Sequence, residues 1–500
     1  MKNIKNSIGL IMILSIFIGC SDVVEFEPHD EYAVTEVDYL QTESDYQTMA
    51  VSCYTPTQWL NQMVVLGDIA SDNSVAGGEN ASDVLRLQNI DDYDYQLLAN
   101  NGTLEDLWKS AYEGVNRTNY LLKYKDVNLL GNTVNFDGKE ALFGEVRFLR
   151  AYYYFNLTRM FGDVPLFIDD KLVINDFGTF QRAPQADVYA QIETDLLDAI
   201  SVLSPTASQQ GRITKYAAQA LLGKVYLYQE KFDLAIPMLE NVVNGPFSLI
   251  ADYDSIFLLE NENGSESVYE VQYSNGSPYY NWEGQTRGQG NYAVQQCGVR
   301  GLSGTTDMPY NSGWSTNLPT QDLAAAFEDG DQRKDATCFD VAAYAAANPT
   351  LNVVFQEAPF KNTDLYNKKY LPRKGQTSGQ LELNYENNQR IIRYADVLLM
   401  ASEANLRATS GSAAKAQLYL DMVRDRAFGD EDHRVNATIQ TVWNERRLEL
   451  GMEGDRFFDL VRTGRAAAVL GSGFSTATKG LFPIPQREID ISGLSQNEGY

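Results

Sequence analysis

One spacing constrains this chain more than any other: Leu222-Gly223-Lys224-Val225-Tyr226, then Ala235 nine positions after the tyrosine and Leu239 four later. It fits the tetratricopeptide pattern, in which small residues let two helices approach and large ones fill the gap between them. Gly245-Pro246 stands where such a pair would end. A lone helical hairpin cannot bury its apolar face, so pairs of this kind stack. The Ala- and Leu-rich stretches 391–409 and 412–428 form a second candidate pair. Other helices are expected from 35 to about 60, capped by Thr35 with Leu40, Met49 and Tyr54 on the apolar face. Two more are expected, one from near Leu104 and one over about 139–161, stopped by Gly162-Asp163-Val164-Pro165. Roughly 67–103 reads as a loop rich in Gly, Asn, Ser and Asp. The fold class is mainly α.

The pattern changes between about 246 and 389. Glycine, asparagine, serine and tyrosine crowd together, helical periodicity fades, and strand-like runs such as Val268-Tyr269-Glu270-Val271 appear. A long segment without strong elements, set in a helical scaffold, is more often functional than idle. The expected organisation is a single domain over 36–500, with scaffold at about 36–245 and 390–465 and a loop-rich insert at about 246–389.

The formal charge is −27, from 40 basic and 67 acidic residues. That balance argues against nucleic acid, whose phosphates demand a basic face, and it keeps molecules apart in a salty medium. Lys2 and Lys5 precede an apolar stretch, 8–18, that is short for a bilayer span. It ends at Phe17-Ile18-Gly19-Cys20, which resembles a lipoprotein signal. On that reading 1–19 is a signal peptide, Cys20 is lipidated, and 20–35 is an acidic tether containing Asp22 and Glu25. A conventional signal and a buried helix are the alternatives. No apolar run after residue 20 is long enough for a membrane helix, so the acyl chains alone would anchor the chain.

Cys53, Cys297 and Cys338 are odd in number and match no zinc spacing; one bridge plus one free thiol is open. The two histidines, His29 and His433, belong to no nucleophilic triad, and no metal or phosphate-binding motif stands out. No catalytic residue, metal or cofactor is therefore expected. A two-carboxylate glycosidase leaves no spacing signature and stays open on composition.

The C-terminal quarter carries a family resemblance. Arg393-Tyr394-Ala395-Asp396-Val397-Leu398-Leu399-Met400 with Glu403-Ala404, and Glu445-Arg446-Arg447-Leu448-Glu449-Leu450 running into Glu453-Gly454-Asp455-Arg456-Phe457-Phe458-Asp459, are similar to helices of the SusD/RagB family. So are the closing Phe482-Pro483-Ile484-Pro485 with Gln496-Asn497, and upstream Phe148-Leu149-Arg150-Ala151-Tyr152-Tyr153-Tyr154 and Phe161-Gly162-Asp163-Val164-Pro165. Glu498 stands where the family commonly has proline. The resemblance implies a SusD-like fold of four tetratricopeptide-like pairs with a shallow glycan site. It also implies a place on the outer-membrane surface of Bacteroidetes as the lid of a SusC-like TonB-dependent transporter, to which captured oligosaccharide passes. The acidic chain suggests a saline habitat, and on that ground alone a marine β-glucan such as laminarin is named.

Sugars present flat apolar faces edged with hydroxyls, so a site needs aromatic platforms with carboxylates, amides or arginine at the edge. Trp282 and Trp314 lie in the insert beside Tyr280 and are the expected platform, with Trp59 at the end of the first helix a further candidate. Asp68 and Asp72 lie in Leu66-Gly67-Asp68-Ile69-Ala70-Ser71-Asp72-Asn73, where turn-capping is the bland reading; the resemblance implies that this first loop borders the glycan site, which would give them ligand contact. Arg393 could point into the same site or form an internal ion pair. Trp108 and Trp443 read as core. The Glu445, Arg446, Glu449, Arg456, Asp459 and Arg462 cluster reads as frame. The rival from another class is a tetratricopeptide adaptor that binds protein or peptide on its helix faces.

Overall fold

A computed structural model describes residues 39–168, 180–282, 287–357 and 359–500. The leader, Cys20, the tether and a cap at Thr35 lie outside them. The first described helix, α1 (Glu43–Gln58), starts later than the periodicity suggests. Thr42 Oγ1 accepts from the Asp45 N–H, and the Asp45 carboxylate accepts from the Thr42 N–H at 2.7 Å, a reciprocal cap that fixes the start. Leu40 is buried ahead of the helix rather than on its face.

Residues 67–103 are not one loop. They begin inside α2 (Gln62–Ile69) and include short helices at Leu85–Asp91 and Tyr95–Leu98. Every residue of α2 is buried, so no polar face marks its period in the sequence. Next come α3 (Gly102–Lys123), whose Asn101 cap accepts from the Thr103 and Leu104 N–H groups, and α4 (Lys139–Phe161). They are followed by α5 (Gln185–Val202) and the motif-bearing pair α6 (Lys215–Tyr228) and α7 (Phe232–Val243). After the insert come α8 (Tyr394–Arg407), α9 (Ala413–Phe428), α10 (Ile439–Glu449) and α11 (Arg456–Arg462). Helix occupies about 51% of the chain, as the mainly α reading requires.

Consecutive helices pack on one another from α3 to α7, and α7 packs on α8, which carries the chain across the insert. Gly223 makes the α6–α7 approach possible: a Cβ there would lie 2.5 Å from Leu239 Cδ2. The strands are β1 (Ser74–Ala76), β2 (Ser267–Val271), β3 (Asn317–Pro319), β4 (Phe339–Asp340), β5 (Leu365–Tyr366) and β6 (Gln389–Arg393). They pair antiparallel as β1–β3, β2–β6 and β4–β5. Residues 389–393 are thus a strand, and α8 begins at Tyr394 because the preceding backbone is engaged with β2.

One large apolar core unites the helices, including Phe143, Leu149, Leu222, Leu398, Phe457 and Ile484. A smaller one, including Val299, Met308, Leu318 and Tyr366, sits inside the insert. The closing segment is stapled back on the scaffold, since Asn497 Nδ2 donates to the carbonyls of Phe161 and Phe482. Cys53, Cys297 and Cys338 are all buried free thiols, which decides the question their odd number left open. No helix among the described residues is long and apolar enough to cross a membrane.

Candidate functional site

Trp282 and Trp314 come together. Their ring centroids are 5.9 Å apart with planes tilted by 40°, and Trp282 is 61% exposed, more than any other described aromatic side chain. Two different elements bring them there. Trp314 sits in a turn entering β3, with its N–H donating to the Gln295 carbonyl at 2.8 Å. The turn is sewn to the first loop beyond the β1–β3 ribbon, where the Gly77 and Gly78 N–H groups donate to the carbonyls of Thr316 and Ser315. Arg300 then bridges the two loops: Nη2 donates to the Trp314 carbonyl at 2.9 Å and to Asp83 Oδ2 at 2.7 Å. Glu79 lies 3.8 Å from the same guanidinium.

Trp282 rides on a loop fixed at its base by Tyr280. The Tyr280 N–H donates to Asn384 Oδ1 at 2.9 Å, and its carbonyl accepts from Asn384 Nδ2 at 3.0 Å. The Tyr280 ring is buried edge-on against Tyr292, and burial pushes its hydroxyl well above the usual range. Tyr280 therefore holds the loop and offers no open face, a correction to its expected ligand role. Tyr279 is the tyrosine at the surface here.

The other expected residues lie inside the protein. Asp68 is fully buried, accepting from the Gly454 N–H and from Asn317 Nδ2, both at 2.9 Å. Burial pushes its carboxyl up to about 7, against the lowering effect of Asn317 and Gly454. Asp72 meets Arg456 through both oxygens, at 2.7 and 2.8 Å, and Arg447 at 3.0 Å. Burial opposes its charge, but these cations outweigh it and hold the carboxyl below the usual range.

Arg393 is 1% exposed and paired with Glu266, Glu449 and Glu453 at 2.6–2.9 Å. For these three the internal reading replaces the ligand reading. Trp59 is half-buried, with the guanidiniums of Arg117 and Arg287 5.2 and 4.3 Å from its ring centre, so it offers no free platform. Trp108 is core, whereas Trp443 is only half-buried, beneath Arg465 at 4.3 Å.

Arg300, Asp83, Glu79 and Asn384 had no sequence signal. They are polar residues of irregular segments, and only the β1–β3 pairing gathers the first three around Trp314. Chemically the surface offers two indoles for stacking, edged by a guanidinium and carboxylates that can donate to and accept from hydroxyls. Among the described residues no group of His, Cys, Asp and Glu side chains is arranged to hold a metal.

Comparison with known proteins agrees with this architecture. Residues 25–227 match a family model described as SusD-like, starch-binding and associating with the outer membrane, and residues 348–500 match that of the SusD family. SusD-like protein P2 of Formosa agariphila is 24% identical over 99% of this chain and 100% of its own length. A laminarin-binding SusD-like protein of solved structure is 33% identical, covering 92% of this chain and 100% of its own, with a TM-score of 0.82. Surface glycan-binding protein A from Bacteroides thetaiotaomicron, solved with laminarihexaose, is 26% identical over 91% of this chain and 99% of its own, with a TM-score of 0.78. With two family models matched at either end and a 33% identical relative aligned over nearly its whole length, the chain belongs to the SusD/RagB family.

Proposed function

We propose that this chain is a non-catalytic, cell-surface glycan-binding lipoprotein that captures a β-glucan of the laminarin type and passes it to a SusC-like TonB-dependent transporter. The observation that carries the reading is the Trp282–Trp314 pair, one ring largely in solvent and both on loops outside the helical scaffold. A pair tilted by 40° suits a curved chain better than a flat ribbon, because each ring meets a differently oriented sugar face. The ligands of two relatives, laminarin and laminarihexaose, point to the same class of glucan. Anchoring through Cys20 at the outer membrane accords with the family description.

The test is an affinity-gel and glycan-array screen of the soluble protein from Ser21 onward. Retardation by laminarin, with no release of reducing sugar, is expected. Indifference to every polysaccharide, with capture of peptides instead, would favour the tetratricopeptide adaptor. Sugar release would make the chain a glycosidase. For the anchor, Cys20→Ala should abolish labelling by a fatty-acid probe, and a variant that still labels would refute lipidation there.

A further inference from the structure

The loop bearing Trp282 is closed at its neck. A Cβ on Gly288 would come within 2.3 Å of the Tyr280 nitrogen and 2.7 Å of the Tyr279 carbonyl carbon, so the two strands of the neck touch. Gln289 closes it further, its N–H donating to the Pro278 carbonyl and its side-chain amide to Ser277 O at 2.7 Å. Asn384 fixes the entering strand. On the leaving strand, Arg287 reaches back to the helical scaffold, forming an ion pair with Glu113 of α3 and lying 4.3 Å from the ring centre of Trp59, just past α1.

That anchorage is itself braced. Glu113 also pairs with Arg117 at 2.6 Å, and Arg117 Nη1 donates to the Ser52 carbonyl of α1 at 2.9 Å. Arginine suits the position, since one planar cation can face an indole and grip a carboxylate together.

We propose that Arg287 is a positioning residue: by holding Glu113 and Trp59 it fixes the neck, where Gly288 touches Tyr280 two residues before Trp282, and so sets Trp282 against Trp314. Trp59 then serves the site as the seat of a clamp, without touching sugar. The inference rests on the reading of Trp282 and Trp314 as the glycan platform. Its physical content is preorganisation, since a ring held in place before the ligand arrives spares binding the loss of its freedom.

The test uses the soluble chain from Ser21, calorimetry with laminarin, and fluorine NMR of fluorotryptophan-labelled protein without glycan. Arg287→Ala should weaken binding about three- to tenfold, the range for freeing one or two ordered side chains. Arg287→Lys, which keeps a charge for Glu113 but loses the planar face, should fall between. In the Arg287→Ala/Trp282→Ala double variant the arginine change should add no more than about twofold to the loss from Trp282→Ala, since a clamp acts only through what it holds. The free-protein fluorine signal of Trp282, assigned with Trp282→Phe, should narrow and shift in Arg287→Ala whatever glycan binds.

Additive losses would overturn the proposal and make Arg287 an independent contributor. An unchanged Trp282 signal, or parental affinity in Arg287→Ala while Trp282→Ala is weakened, would overturn it and leave the platform standing. Parental affinity in Trp282→Ala would remove the platform reading itself. Should Arg287→Ala not fold, Trp59→Leu, which keeps an apolar filler but loses the face, must reproduce the same signal change.

Discussion

Glu449 has no exposed side-chain surface and lies within 2.5–3.1 Å of Arg426, Arg393 and Arg333, whereas Trp282 leaves 61% of its surface in solvent beside Trp314. In the sequence the two look the other way round. The C-terminal charges are dense enough to suggest a polar site, while Trp282 sits among residues with no order of their own. The difference lies in satisfaction of each group. Arg333 meets Asp331, Glu445 and Glu449, Arg446 meets Asp396 and Asp459, and Arg462 meets Asp459 and Glu403. Glu266 and Arg333 come from the insert, so this network also fastens the insert to the scaffold. Charges that close on one another are frame; an aromatic surface left in solvent is the better candidate for a site.

The strongest way to break that comparison is Glu449→Gln. It leaves three guanidiniums facing a neutral amide in the interior, and breaking a buried pair in this way costs about 3–5 kcal/mol. Denaturant unfolding should show that loss, while the protein that remains folded binds laminarin with parental affinity. A variant of unchanged stability but weakened binding would put the charged cluster in the site.

The converse change is Trp282→Ala or Trp314→Ala. Losing a stacking ring should cost roughly 1–3 kcal/mol of binding, by analogy with aromatic stacking on other planar ligands, which is about five- to 140-fold in affinity. Circular dichroism should show an unaltered melting temperature for Trp282→Ala, since that ring supports little else. Calorimetry at parental affinity for both folded variants would move the site toward Arg300 and Asp83.

The sequence made the scaffold readable where helices are amphipathic and joined by short turns. The α6–α7 pair stands out through Gly223 and Ala235, and α4 was expected at the limits it has, because Gly162-Asp163-Val164-Pro165 stops it. Reading failed at α2, whose residues are buried on every side, and at β6, whose pairing with β2 is set by a partner more than 100 residues away. Tryptophan in a region without helical period pointed to two rings, Trp282 and Trp314, that the fold does bring together outside the helical core. It misled at Trp59, which arginines cover. Asp68, Asp72 and Arg393 show why loop acids and a helix-opening arginine mislead: their partners, Gly454, Arg456 and Glu449, are remote in sequence and invisible to spacing.

A finer test of the scaffold side is Gly223→Leu. Leu239 Cδ2 would lie 2.5 Å from the new Cβ, and overpacking of this sort costs roughly 1–3 kcal/mol. The same change at exposed Gly473, where the nearest atom would be Tyr93 Cδ2 at 3.4 Å, should be close to neutral. Thermal unfolding in the reverse order would contradict close packing of α6 on α7.

The last test separates two kinds of buried carboxylate inside the frame. Burial alone would raise Glu449, but Arg426, Arg393 and Arg333 hold it well below the usual range. Its contribution is therefore present above the ordinary carboxylate pKa and is lost only as pH falls far below it. Asp68 accepts from an amide and a backbone N–H instead of a salt-bridge partner, and burial raises it to about 7. The folded chain thus holds a proton that the unfolded chain releases near the ordinary carboxylate value of 3.8. Its contribution is full below that value and is lost as pH rises through about 7.

Asp68→Asn removes that titration. It should flatten the fall of the melting temperature between about pH 4 and 7, whatever it does to the absolute value. A chain this long converts each kcal/mol into only about 1–2 °C, so the slope across several pH values, not any single midpoint, is what must be read. An unchanged slope in scanning calorimetry would mean that Asp68 stays ionised in the fold, and that Asn317 and Gly454 suffice to hold a buried charge as the guanidiniums do around Glu449.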